Sequence, residues 1–134
     1  MRKAAGCVAL VLLLAACRHT SGQALPLVSP DADSAGQTLR LALNQEIVVR
    51  LPDNPSTGFG WAVVHMPVFM EQLGTESLVR DEQGDAAVAG AGGTRVWRFR
   101  AIAVGEDSLR FIYRRPWEKG TPPAKTVSYH LVIE

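Results

Sequence analysis

Two cysteines, three histidines and no apolar run of membrane-spanning length set narrow limits on what this 134-residue chain can do. The two cysteines do not stand at metal-ligand spacing. There is no H-E-x-x-H for zinc and no G-x-S-x-G turn to lift a nucleophile off a sheet. His19 falls in a Ser/Pro-rich stretch and His130 in an alternating strand pattern, so no nucleophile and base come together. Charge of one sign is lacking too. The formal charge is +1, and the arginines are scattered from Arg40 to Arg110 with one pair at Arg114 and Arg115. A phosphate-reading domain concentrates its basic residues on one face. The acidic residues Asp81, Glu82 and Asp85 read as a solvated loop. The glycines at 90–93 do not make a phosphate loop, because Arg95 stands where the last glycine belongs and a strand pattern follows, not a helix. The sequence therefore calls for no cofactor, no metal and no nucleic acid, and it does not read as an enzyme.

What is present begins with a leader. Arg2 and Lys3 precede a short apolar run from Val8 to Leu14, followed by small residues. This is the layout of a secretory signal, and the run is too short for a bilayer, which needs about 20 residues. Leu14 to Cys17, "LAAC", resembles the lipobox of bacterial lipoproteins. On that reading residues 1–16 are removed, Cys17 carries lipid, and the mature protein has no disulfide. The alternative is ordinary cleavage at another position. A chain starting at Cys17 can still bury roughly two-thirds of its unfolded surface, enough to fold on its core alone. Arg18 follows the cysteine in place of the aspartate associated with inner-membrane retention, which points to the outer membrane or a periplasm-facing site. Residues 17–36 are rich in Ser, Pro, Gly and Ala without a period, and read as a flexible tether giving on the order of 25 Å of play.

From Gln37 to Glu134 the signal is alternation. Leu39, Leu41 and Leu43, then Ile47, Val49 and Leu51, alternate with other residues across a turn at Asn44-Gln45. Trp97, Phe99 and Ala101 alternate with arginines, as do Leu109, Phe111 and Tyr113 with Arg110. Val127, Tyr129, Leu131 and Ile133 repeat the pattern. Period two places one set inward and the other outward. About seven such short strands predict an all-β sandwich or barrel. A turn of helix is expected only at Val68 to Leu73.

Three connections are more specific in composition than turning requires: "NPSTGFG" at 54–60, "VAGAGGT" at 88–94 and "YRRPWEKGTPP" at 113–123. In a sandwich every second loop emerges at the same end, so the three can share one rim. Asn54-Pro55 fixes the entry to the first, Ser56 and Thr57 offer hydroxyls, and Gly58 supplies backbone freedom before Phe59. Gly90, Ala91, Gly92 and Gly93 carry almost no side-chain bulk. Taken alone they are a wide hairpin turn. They also suit a thin ridge able to enter a narrow cleft. Arg115, Pro116 and Trp117 display a large aromatic on a stiffened loop, the kind of anchor interfaces favour.

"NPSTGFGW", "GAGG" and "RPW", in this order and separated by strands, resemble the chagasin-type inhibitors of papain-like cysteine peptidases. The similarity covers about Gln37 to Glu134. It implies an immunoglobulin-like β-sandwich whose three loops form a wedge acting without covalent chemistry or a cofactor. Carried over, Gly90, Gly92 and Gly93 would fill the peptidase cleft. Ser56 and Thr57 would lie beside the catalytic pair, and Trp117 would anchor one flank. Asn54, Pro55, Gly58, Phe59, Ala91, Arg115 and Pro116 complete the expected peptidase-binding surface of a monomer. Ser56 stands where the family commonly has threonine, and the lipobox is not part of the family's core pattern. From the residues alone, an envelope adhesion or assembly module holding a non-peptidase partner is the alternative.

Overall fold

The computed structural model describes residues 24–80 and 92–134. Eight strands follow in chain order: β1 Thr38–Leu41, β2 Glu46–Asp53, β3 Gly60–His65, β4 Met70–Gln72, β5 Ser77–Arg80, β6 Gly93–Ala101, β7 Gly105–Arg114 and β8 Lys125–Ile133. They make two sheets, ordered β1-β8-β7-β3 and β2-β6-β4. β5 lies on the same side of β6 as β4, pairing the start of β6 while β4 pairs its end. Of the paired strands among the described residues, only β1 and β8 run parallel. The chain is an immunoglobulin-like β-sandwich, as the alternating pattern and the family resemblance led one to expect.

Alternation places the core. Ile47, Val49 and Leu51 of β2 and Trp97, Phe99 and Ala101 of β6 face Leu109 and Phe111 of β7 and Val127, Tyr129 and Leu131 of β8, all buried. Phe111 is the centre of this packing, with ring centroids 4.9 Å from Trp97, 6.3 Å from Phe99 and 6.2 Å from Tyr129. Tilted and edge-on contacts at these distances suit the aromatic quadrupole. On the outer face of β6, Arg98 and Arg100 both reach the carboxylate of Glu46, at 2.7 and 3.1 Å.

Two local expectations change. Residues 68–73 form no helical turn: Met70 N–H closes a turn onto Pro67 O, and Met70–Gln72 then pairs with Phe99–Ala101. Phe69 and Met70 are buried, and an open edge of β6 supplies more backbone partners than one isolated helical turn could.

The second change concerns the stretch before Gln37. Val28 N–H donates to Glu46 O, Val48 N–H to Val28 O, and Arg50 N–H to Pro30 O, at 3.3, 2.8 and 3.2 Å. The Gln45 side chain donates to Pro26 O at 2.7 Å, and the buried Tyr129 hydroxyl donates to Asp31 O at 2.6 Å. From Pro26 on, the expected tether is therefore laid along β2 as part of the domain. β2 is the outermost strand of its sheet, and its unpaired backbone groups recruit this segment. Composition alone does not reveal a free edge.

Register brings the roots of the three loops to one end. Asp53, the last residue of β2, is opposite Gly93, the first of β6, and Gly93 is also opposite Arg80 at the end of β5. Gly60 opens β3 opposite Arg114, and Tyr113 is opposite Lys125. The turns at 42–45 and 102–104 lie at the other end, joined by Asn44 N–H to Ala101 O at 2.9 Å.

Candidate functional site

The first loop is a self-tied knob. Pro55–Thr57 make one tight turn, with Thr57 N–H bonded to Asn54 O and Gly58 N–H to Pro55 O. Proline presets the turn's φ, and Gly58 ends it at φ +77°, the left-handed region that a side chain disfavours. The Ser56 hydroxyl donates to Asn54 Oδ1 at 2.6 Å and the Thr57 hydroxyl to Asn54 O at 2.8 Å. Both hydroxyl hydrogens are thus used inside the loop, and Thr57 Oγ1 also accepts from Phe59 N–H at 3.4 Å. Ser56 and Thr57 stay exposed, so what they offer a partner is oxygen lone pairs on a fixed backbone.

The third loop folds onto the first. Arg115 Nε donates to Thr57 O at 3.3 Å, and its guanidinium lies 4.4 Å above the Phe59 ring. Glu118 Oε1 pairs with that guanidinium at 3.3 Å, while Arg114 donates to Glu118 O at 2.7 Å. Pro116 and Trp117 are exposed. The Trp117 ring nevertheless rests on Gly58, where a Cβ would lie 2.7 Å from its nearest ring carbon. Trp117 is 67% exposed, so one part of the indole is placed by Gly58 and the rest faces solvent.

Beneath these loops Tyr113 acts as a post, a role that alternation does not distinguish from an ordinary core position. Its ring stacks on Phe59 at 5.4 Å and meets Trp61 at 5.0 Å, and its hydroxyl accepts from Asn54 N–H at 3.3 Å. Trp61 Nε1 donates to Pro52 O at 2.7 Å, joining the two sheets at the same level. The available signal was its place as the last inward residue of an alternating strand, directly before the "RRPW" loop.

The glycine loop joins β5 to β6. Gly90 and Ala91 lie outside the described residues. Gly92 is half-buried beside Asp53 O, and Gly93 is buried as the first residue of β6. A Cβ on Gly93 would stand 2.5 Å from Val79 O, so this glycine is demanded by close packing of β5 on β6. It roots the loop and does not protrude from it. Next to it, the fully buried Asp53 carboxylate takes both Arg95 Nε at 2.9 Å and Arg95 Nη2 at 2.8 Å on Oδ2. Along the sequence nothing joins the two, since Arg95 is one of several scattered arginines and Asp53 lies 42 positions before it. Pro52, Asp53, Asn54, Gly92, Gly93, Tyr113 and Lys125 line a shallow cleft between the loops.

Among the described residues no group of three His, Cys, Asp or Glu side chains could hold a metal ion. The histidines there pair with acids in the other direction from the rim: His65 with Asp107 and His130 with Glu106, each at 2.8 Å. The rim is built for contact. It is two interlocked loops and the root of a third, on a rigid sandwich.

The sequence profile of the Chagasin family peptidase inhibitor I42 matches residues 40–131, which take in the whole rim. The chain belongs to the chagasin family of peptidase inhibitors. Amoebiasin-2 of Entamoeba histolytica is 30% identical over 96 residues, covering 72% of this chain and 76% of that protein. Chagasin of Trypanosoma cruzi is 31% identical over 86 residues, covering 61% of this chain and 76% of its own. The crystal structure of the cysteine protease inhibitor EhICP2 from Entamoeba histolytica shares the fold with a TM-score of 0.72 at 24% identity, covering 81% of this chain and 96% of that one. As a chagasin-family protein the chain is an inhibitor and not an enzyme.

Proposed function

We propose that this protein is a non-covalent, competitive inhibitor of papain-like cysteine peptidases that blocks the active-site cleft with the three loops of the rim. The observation that carries the reading is the locking of Trp117 onto Gly58 while Asp53, at the root of the first loop, pairs with Gly93, at the root of the glycine loop. Two of the loops are thereby preset as one surface, so little freedom is lost on docking, and preorganisation of this kind is what lets a modest contact area bind tightly. The glycine loop, rooted at Gly92 and Gly93, supplies the thinnest part of the wedge. Ser56 and Thr57 present acceptor oxygens on one side of it and Trp117 an aromatic anchor on the other. No cofactor takes part, and one copy of the chain carries the whole rim.

Cys17 is the proposed point of attachment, as the lipidated first residue of a protein held on the bacterial cell envelope, at the outer membrane or facing the periplasm. The "LAAC" stretch and the leader before it support this.

Residues 24–134 should suppress hydrolysis of a small peptide substrate by papain or a cathepsin-L-like enzyme, raising KM and leaving kcat unchanged. No inhibition at micromolar protein across several such enzymes would remove the peptidase reading. A fall in kcat at unchanged KM would remove the competitive one.

A further inference from the structure

Among the described residues, the end of the sandwich opposite the rim carries an apolar surface that no other element covers. Its three turns, 42–45, 66–69 and 102–104, contain no Asp, Glu, Lys or Arg, and neither does the segment 24–30 beside them. The turns are stitched together by Asn44 N–H to Ala101 O at 2.9 Å and Ile102 N–H to Phe69 O at 2.9 Å. Val68 is 95% exposed and Val104 70%, with Leu25, Leu27, Leu43 and Ile102 about half exposed around them. The rim, by contrast, bears Arg114, Arg115, Glu118, Lys119 and Lys125. At the apolar end, charge begins only at the border of the patch, with Glu46 beside Leu25 and Leu27 and the exposed Arg40–Glu134 pair where β1 and β8 end. An exposed apolar patch rimmed by polar residues is the mark of a surface that something covers.

Where the chain leaves the domain identifies the occupant. Val28 lies beside Ile47, and toward the N-terminus Pro26 meets Gln45 while Ala24, Leu25 and Leu27 border Asn44 and Glu46. The polypeptide thus exits through the apolar end. Seven residues carry it from Ala24 back to Cys17, and even fully extended they reach at most about 25 Å.

We infer that this end rests on the lipid bilayer in which Cys17 is anchored, with Leu25, Leu27, Leu43, Val68, Ile102 and Val104 against the interfacial region. The inference rests on the reading of Cys17 as lipidated. The short link keeps the bilayer at high effective concentration, so even weak apolar contacts are made repeatedly. The consequence is orientation. β8 has nine residues and spans about 30 Å, so the three loops stand that far from the lipid and face away from it. A peptidase then meets the rim without colliding with the membrane.

The test uses the processed, lipidated protein in phosphatidylethanolamine/phosphatidylglycerol vesicles, with an environment-sensitive fluorophore at Val68→Cys or, separately, at Thr121→Cys on the rim. Iodide quenching at position 68 should be at least fivefold weaker than at 121. In a lipid-free Cys17→Ser protein beginning at residue 17, the two should agree within twofold. Ile102→Asp with Val104→Asp should return the label at 68 to water while peptidase inhibition is unchanged. Equal quenching of both labels on vesicles, with lipid on Cys17 established by mass spectrometry, overturns this proposal alone. A protein with no lipid on Cys17 overturns the anchoring and this proposal with it. Shielding of position 68 that grows with concentration of the lipid-free protein assigns the surface to a second copy and overturns the bilayer as occupant.

Discussion

The six-membered ring of Trp117 lies on the backbone of Gly58, so close that a Cβ at residue 58 would stand 2.7 Å from its nearest carbon. The two residues are far apart in sequence and come from different loops. Gly58 is also held at φ +77°, so its lack of a side chain serves the turn and the tryptophan together.

Gly58→Ala should therefore do two separable things. The left-handed backbone costs roughly 1–2 kcal/mol of stability with a side chain present, measurable by urea denaturation. Displacement of Trp117 should weaken inhibition by about tenfold beyond that, and a shift of the Trp117 indole resonance should accompany it. Unchanged inhibition would mean that the indole's seat on Gly58 does not matter to binding.

Trp117→Ala removes a side chain that is 67% exposed, so the fold should be untouched. Stability should stay within about 0.5 kcal/mol, as for surface substitutions generally. Inhibition should fall by about 30-fold or more if the ring is an interfacial anchor. Steady-state inhibition and circular dichroism on the same sample decide both points.

At the root of the glycine loop, Arg95→Met leaves the buried Asp53 carboxylate without its partner. An uncompensated buried charge costs about 3 kcal/mol or more. Asp53→Asn should cost less, because Arg95 keeps a quarter of its side-chain surface in water. Urea midpoints for the two variants should fall in that order.

Acid should weaken the fold through three carboxylates. Glu46 is held below its ordinary range by hydrogen bonds from Arg98 and then Arg100. Asp107 is held down by the His65 ring and the Ser108 N–H, and Asp31 by the Ser34 hydroxyl and N–H. A depressed folded value means that the unfolded chain takes up protons first. Their contribution is full above the ordinary carboxylate pKa of about 4 and is lost as pH drops through the lowered values. The urea midpoint should decline below about pH 4, and Glu46→Gln should make that decline shallower.

Much of the sandwich was legible because period-two alternation is a local property: Trp97, Phe99, Leu109, Phe111, Tyr129 and Leu131 all lie in the core where the pattern put them. β4 and β5 escaped because they are three and four residues long, too short for a period to show, and are strands only because β6 offers an edge. Pro26 to Asp31 escaped for the same reason on the edge of β2. In the site, "NPSTG" and "RPW" stood out by composition. Tyr113 and the Asp53–Arg95 pair did not, since each is meaningful only through a partner distant in sequence.

By itself the sequence determined the longer alternating strands, the left-handed turn at Gly58, the stiff loop around Pro116 and the family, since each depends on residue type and order along a few positions. Only the tertiary structure decided that Trp117 sits on Gly58, that Gly93 is a root and not a tip, and that the chain leaves past the exposed apolar turns opposite the rim. These facts depend on which strand edges meet and in what register. Backbone hydrogen bonding across the whole sandwich settles both, and no stretch of the chain encodes them alone.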